Sequence, residues 1–80
     1  MAIKFKAKLT HDANLNVIEN MQDFKSRGLE YQDEYVIGHL VMEDDKPYLV
    51  GDIEDITDEY IHFKWWLPVE PDTVEMIEDV

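Results

Sequence analysis

The sequence predicts an α+β domain, mainly antiparallel β, built as a small curled sheet or partial barrel with one covering helix. Three observations carry this reading. The chain has 80 residues, of which 45% are hydrophobic and 11% aromatic, enough for one core and a single domain over 1–80. Two segments, 1–9 and 60–67, alternate apolar and polar residues with the period of 2 that a half-buried strand requires. One segment, 16–27, spaces its apolar residues as a helix does. A four-stranded sheet in so short a chain needs that helix to cover one face.

In the first strand Ile3, Phe5, Ala7 and Leu9 face one way and Lys4, Lys6 and Lys8 the other, a pattern that also guards an exposed sheet edge. Residues 10–16 are polar and turn-like. Val17, Ile18, Met21 and Phe24 then give a core-facing helical stripe, with Asn16 and Glu19 placed as a capping box and Gly28 as the stop. Residues 29–34 read as a polar connection around Tyr31. Tyr35 to Met42 is rich in strand formers, and Gly38 marks a bulge or kink. Glu43-Asp44-Asp45-Lys46-Pro47 is a turn, Pro47 being unsuited to a central ladder position, and 48–50 is the return strand of a hairpin. From Tyr60 to Leu67 one face carries Ile61, Phe63, Trp65 and Leu67, the other Tyr60, His62, Lys64 and Trp66. Pro68 and Pro71 close this strand. Asp72 or Thr73 is placed to cap a short helical turn, so that 73–80 reads as a turn and a frayed tail.

The charge is lopsided. With 7 Lys and Arg against 19 Asp and Glu the formal net charge is −12. Residues 1–27 hold five cations and three anions, whereas 28–80 hold two cations and sixteen anions, a local net of −14. On a folded surface of about 5,000 Å² this leaves one uncompensated negative charge per ~400 Å². Such an excess repels itself in the compact state, keeps a small protein dispersed, excludes direct nucleic-acid binding and favours a basic partner. No Cys is present, which excludes a disulfide framework and thiolate metal sites. No apolar run is long enough to span a membrane, and 1–10 lacks the continuous apolar stretch of a secretory signal. These features lead us to expect a cytoplasmic setting.

Three segments carry a resemblance to a known family. Phe5-Lys6-Ala7-Lys8 resembles the FRGK or FRAW opening of YopX-like phage and prophage proteins. Val36-Ile37-Gly38-His39-Leu40 resembles their VYGxL segment. The run from Trp65 through Pro68, Val69, Pro71 and Thr73 to Val74 resembles their W-x-x-V-x-P-E-T-V segment and is the most specific of the three. The resemblance covers the N-terminal half of such proteins; the glycine-rich region that follows in the family is replaced here by Glu75 to Val80. It implies a β-rich fold and a phage or prophage of a bacterial host. It supplies no activity, cofactor or catalytic residue.

No catalytic constellation stands out. His11, His39 and His62 lack metal-ligand spacing. Residues 52–59 share only their acidity with a calcium loop, since the turn glycine is missing and Ile56 takes a ligand position. The single serine, Ser26, has no nucleophile-elbow glycines, and the three glycines are isolated. What remains is the acidic set Glu43, Asp44, Asp45, Asp52, Glu54, Asp55, Asp58 and Glu59, with Trp66 as the aromatic anchor and Tyr60 next. Alternate carboxylates on an extended chain lie ~6.6 Å apart, comparable with phosphates along a nucleic-acid strand. The expectation is a non-enzymatic acidic inhibitor, a DNA mimic with no cofactor. It would bind the basic surface of a host nucleic-acid-binding enzyme such as a CRISPR nuclease or a restriction enzyme. The alternative is a structural or adaptor module of a phage assembly acting through self- or hetero-oligomerisation, a homodimer included, with Trp66 buried in the contact. A regulator that contacts a DNA-binding protein differs from the first reading only in its target.

Overall fold

The structure, a computed structural model, describes residues 3–78. Strand β1 (Ile3–Lys8) turns Ala7 inward, followed by Leu9, while its lysines face outward, as alternation demands. Helix α1 (His11–Glu19) starts earlier than the apolar stripe suggests, because Thr10 is its N-cap and accepts a hydrogen bond from Ala13 N at 3.4 Å. Ala13, Asn14 and Val17 are its buried residues, and Ile18, expected in the core, is exposed. Asn16 caps nothing: its carbonyl and side-chain oxygens accept from Asn20 Nδ2, both at 3.0 Å. At Asn20 the helix breaks, and a separate α2 (Met21–Ser26) follows. The single helix over 16–27 is thus corrected to two short ones. Gly28, at φ 91°, ends α2 with Leu29 N bonded to Phe24 O and Gly28 N to Lys25 O, the paired bonds of a Schellman motif.

Residues 30–32 are not a loop but strand β2 (Glu30–Gln32), joined to β3 (Tyr35–Glu43) by a two-residue turn in which Asp33 and Glu34 both have positive φ. Strand β4 (Lys46–Val50) returns after a second turn of the same kind at Asp44 and Asp45. Pro47 does lie between two strands. It pairs with Met42 of β3, and its carbonyl accepts from Val69 N just beyond β7, so its missing N–H falls at the end of a ladder. Residues 60–67 divide into β6 (Ile61–Phe63) and β7 (Trp66–Pro68), with β5 (Ile53–Ile56) paired to β6 alone. After a 3₁₀ turn at Pro71–Thr73, residues 75–78 form strand β8 (Glu75–Glu78) against β1, not a helical continuation. Thr73 caps no helix end there; its hydroxyl accepts from Lys8 N at 2.9 Å and donates to Glu70 O at 2.8 Å. Of the frayed tail expected at 78–80, Glu78 belongs instead to β8, and 79–80 lie outside the described residues.

The main sheet runs β7-β4-β3-β1-β8, with β2 added on β3, and does not close into a barrel. Every ladder in it is antiparallel. Ala7, Leu9, Val36, Leu49, Leu67 and Val69 from the sheet and its flanks meet Ala13 and Val17 of α1, with Trp65 and Leu29 closing the core. Each fully buried Val or Leu contributes ~1.5–3 kcal/mol over its exposed state, and this small set is the fold's main support.

Candidate interaction surface

The ladder between β4 and β7 does not stop at their ends. Gly51 N donates to Trp65 O and Lys64 N to Asp52 O, both at 2.9 Å, and the pairing passes into β5 and β6. The result is a two-stranded hairpin that extends beyond the core. Every residue from Asp52 to His62 is exposed. Its tip is held by Thr57, whose N–H donates to Tyr60 O at 2.9 Å and whose Oγ1 accepts from Tyr60 N at 3.1 Å. Asp58 and Glu59 are the two residues between.

The eight expected carboxylates fall into two groups. Glu43, Asp44 and Asp45 sit at the β3–β4 turn. Asp52, Glu54, Asp55, Asp58 and Glu59 sit on the β5–β6 hairpin, which starts at the other end of β4. The five residues of β4 put ~17 Å of strand between them. The hairpin group is no even row either, since a bulge between Ile53 and Asp55 interrupts the register at Glu54 and Asp58 and Glu59 stand at the tip. All eight are exposed. Among the described residues none forms a salt bridge with Lys or Arg; the cations that do, Lys8 and Arg27, engage Glu34 at 3.6 Å and Asp23 at 3.2 Å. Asp52 lies 3.9 Å from His39 Nε2, and in the ladders Glu43 stands opposite Lys46 and Asp55 opposite His62.

Trp66 is 42% exposed. Its ring lies 5.3 Å from that of Tyr48 and 6.0 Å from that of Phe63. Tyr60 is also exposed, with its ring 4.6 Å from His62. The bend at Lys64 undoes the expected shared face: Trp65 and Leu67 enter the core, Phe63 is half-buried beside Trp66, and Ile61 stays exposed.

Sequence reading missed the apolar side of the hairpin. Ile56 pairs with Ile61 and Ile53 with Phe63, while Asp55 pairs with His62. Because side chains alternate along β6, Ile61 and Phe63 share a side, and the bulge brings Ile53 and Ile56 to that same side. Ile53 is 51%, Ile56 64% and Ile61 48% exposed. The signal was present as Ile-x-x-Ile before Thr57 and Ile-x-Phe after it, but it needs the bulge to be read.

A concavity of about 770 Å³ lies beside β2, lined by Lys6, Lys25, Tyr31, Tyr35 and Ile37 among others. Lys6 Nζ sits 5.3 Å from the centre of the Tyr35 ring there. No Ser, Thr, Cys or His is among its lining residues. No group of three or more His, Asp or Glu side chains placed to hold a metal ion occurs among the described residues. No described helix is long and apolar enough to cross a membrane. No family model matches the sequence, and no curated protein or solved structure matches it.

Proposed function

We propose that this chain is a small, non-enzymatic inhibitor, of the YopX-like phage or prophage type, acting in the cytoplasm of a bacterial host. It binds the basic nucleic-acid-binding surface of a host defence enzyme, such as a CRISPR or restriction nuclease, by presenting carboxylates where phosphates would lie. The observation that supports this most is the state of the eight carboxylates of the β3–β4 turn and the β5–β6 hairpin: all are exposed and, among the described residues, none forms a salt bridge with Lys or Arg. A basic cleft built for phosphates meets them without first having to displace an internal cation. The test is the association rate with such a nuclease in rising salt, with duplex DNA as competitor. Charge-steered binding falls steeply in on-rate between about 50 and 200 mM salt and is lost to competing DNA. Salt-independent association, or binding alongside DNA on the same enzyme, refutes it.

The exposed isoleucines of the hairpin favour a second reading, a structural or adaptor module that assembles with itself or another phage protein. Sedimentation separates the two. A stable oligomer that loses its contact on Trp66→Ala supports the adaptor, and a monomer at micromolar concentration supports the inhibitor.

A further inference from the structure

The β5–β6 hairpin shows an uncovered apolar strip running from Trp66 through Phe63 to Ile53, Ile61 and Ile56. A two-stranded hairpin gains little stability alone, and exposed isoleucines at directly paired positions such as Ile56 and Ile61 lose the transfer free energy that burial would return. Asp58 and Glu59 stand at the tip of the strip and Glu54 at its bulge, while Asp52 and Asp55, opposite Lys64 and His62, fall on the other side of the hairpin. The carboxylates of bulge and tip select the occupant. A second copy laid strip to strip would bring the carboxylates of bulge and tip, Glu54, Asp58 and Glu59, against their own kind, and like charges across an interface suppress association. A segment with apolar residues flanked by Lys or Arg buries the isoleucines and pairs these carboxylates at once. Four strand residues of β5 span ~13 Å, about two and a half turns of helix.

We infer that the β5–β6 hairpin is the docking arm of this protein and that it receives an amphipathic, Lys- or Arg-flanked helix of the target. This rests on the inhibitor reading and adds to it that apolar contact, beyond charge, fixes the place of binding.

The experiment uses the full chain and three labelled peptides of about five helical turns: one with Leu and Lys in helical register, one of the same composition scrambled, and one with each Leu replaced by Ser. The expected result is binding of the first at least about tenfold tighter than either control, with NMR amide shifts confined to 53–66. Ile56→Thr/Ile61→Thr keeps β-branched residues and hence the hairpin, and is expected to remove the preference while the amide shifts of Val36 and Leu49 stay unchanged. Equal binding of the three peptides, a preference retained in the double variant, or shifts lying elsewhere would overturn the docking arm. So would sedimentation of the wild type as a dimer that the double variant no longer forms. Failure of the inhibitor reading is separately visible: the nuclease is then not bound at low salt, whatever the peptides do.

Discussion

The indole of Trp65 lies in the space that a side chain at Gly51 would occupy. A Cβ at Gly51 would lie 2.6 Å from Trp65 Cδ1, closer still to Nε1, and one at Gly38 would lie 2.7 Å from Trp65 Cη2. Trp65 is 5% exposed and roofs the junction where the main sheet passes into the hairpin. Two glycines thus serve one aromatic ring, and they do so through space rather than through backbone freedom. Gly51→Ala is expected to destabilise the fold by ~1–3 kcal/mol, the usual range for overpacking, which for a domain of this size lowers the melting midpoint by at least ~4 °C. Gly28 supplies the contrast. It has positive φ, but a Cβ there would meet nothing within 4 Å, so Gly28→Asn, which tolerates that backbone, should cost under ~1 kcal/mol. Urea unfolding of the two variants checks the difference, and equal effects would contradict this account of Gly51.

Asn14 is the one buried polar residue among those described, and it is held from both sides. It accepts from Tyr31 OH at 2.7 Å and donates from Nδ2 to Glu34 Oε1 at 3.1 Å. Glu34 in turn meets Lys8 at 3.6 Å. This ties α1 to the β2–β3 hairpin. Tyr31→Phe leaves an acceptor unpaired and is expected to cost about 1 kcal/mol, and Asn14→Ala ~1–3 kcal/mol. The double variant should lose less than the sum, by ~0.5 kcal/mol or more, because the two side chains share one bond. Strict additivity in thermal or urea unfolding would show that the pair is not coupled.

The elements legible in the sequence are those in which burial and period agree. The alternation in β1, the strand and hairpin at 35–50 and the stop at Gly28 all stand in the structure. The misreadings share a physical origin. Helix α1 begins with His11, Asp12, Ala13 and Asn14; only the small Ala13, four residues before Val17, extends the apolar stripe into this turn, and the start is marked chiefly by Thr10 as its cap. Strand β2 was hidden because its turn is Asp33-Glu34, and nothing in a glutamate announces positive φ. Residues 60–67 alternate as one strand, yet the chain bends at Lys64, with its hydrogen bonds to 51 and 52 kept, to bring Trp65 against the two glycines, and no local pattern records that packing. The acidic residues of the candidate surface were legible as a set. Their division between the β3–β4 turn and the β5–β6 hairpin was not, since it depends on β4 separating them.

The two turns with positive φ at both central residues give a paired test. Asn-Gly is the favoured pair in such a two-residue hairpin, because both positions require the left-handed region. Asp44→Asn/Asp45→Gly should therefore stabilise the fold, by ~0.5–1 kcal/mol. The same exchange at Asp33 and Glu34 should not, because Glu34 holds Asn14 and Lys8. If the acidic turn serves the partner, Asp44→Asn/Asp45→Gly should also slow association with a basic nuclease while raising the melting midpoint. A variant that gains stability and binds at the wild-type rate would remove this turn from the interaction surface and leave the hairpin group alone.

Ionic strength should move stability and binding in opposite directions. At about 0.01 M salt the Debye length is ~30 Å, longer than the ~17 Å of β4 that separates the acidic groups, so the groups repel one another and their neighbours; at about 0.15 M it is ~8 Å and that repulsion is screened. A chain carrying −12 with its turn and hairpin carboxylates in no salt bridge with Lys or Arg among the described residues is then expected to melt higher as salt rises, by a few degrees for ~1 kcal/mol of relieved repulsion. The same screening weakens attraction to a cationic cleft. A melting midpoint that rises together with a falling association rate follows from free carboxylates. A midpoint that falls as salt is added would mean that attractive ion pairs outweigh the repulsion, and the carboxylates would then be structural rather than available to a partner.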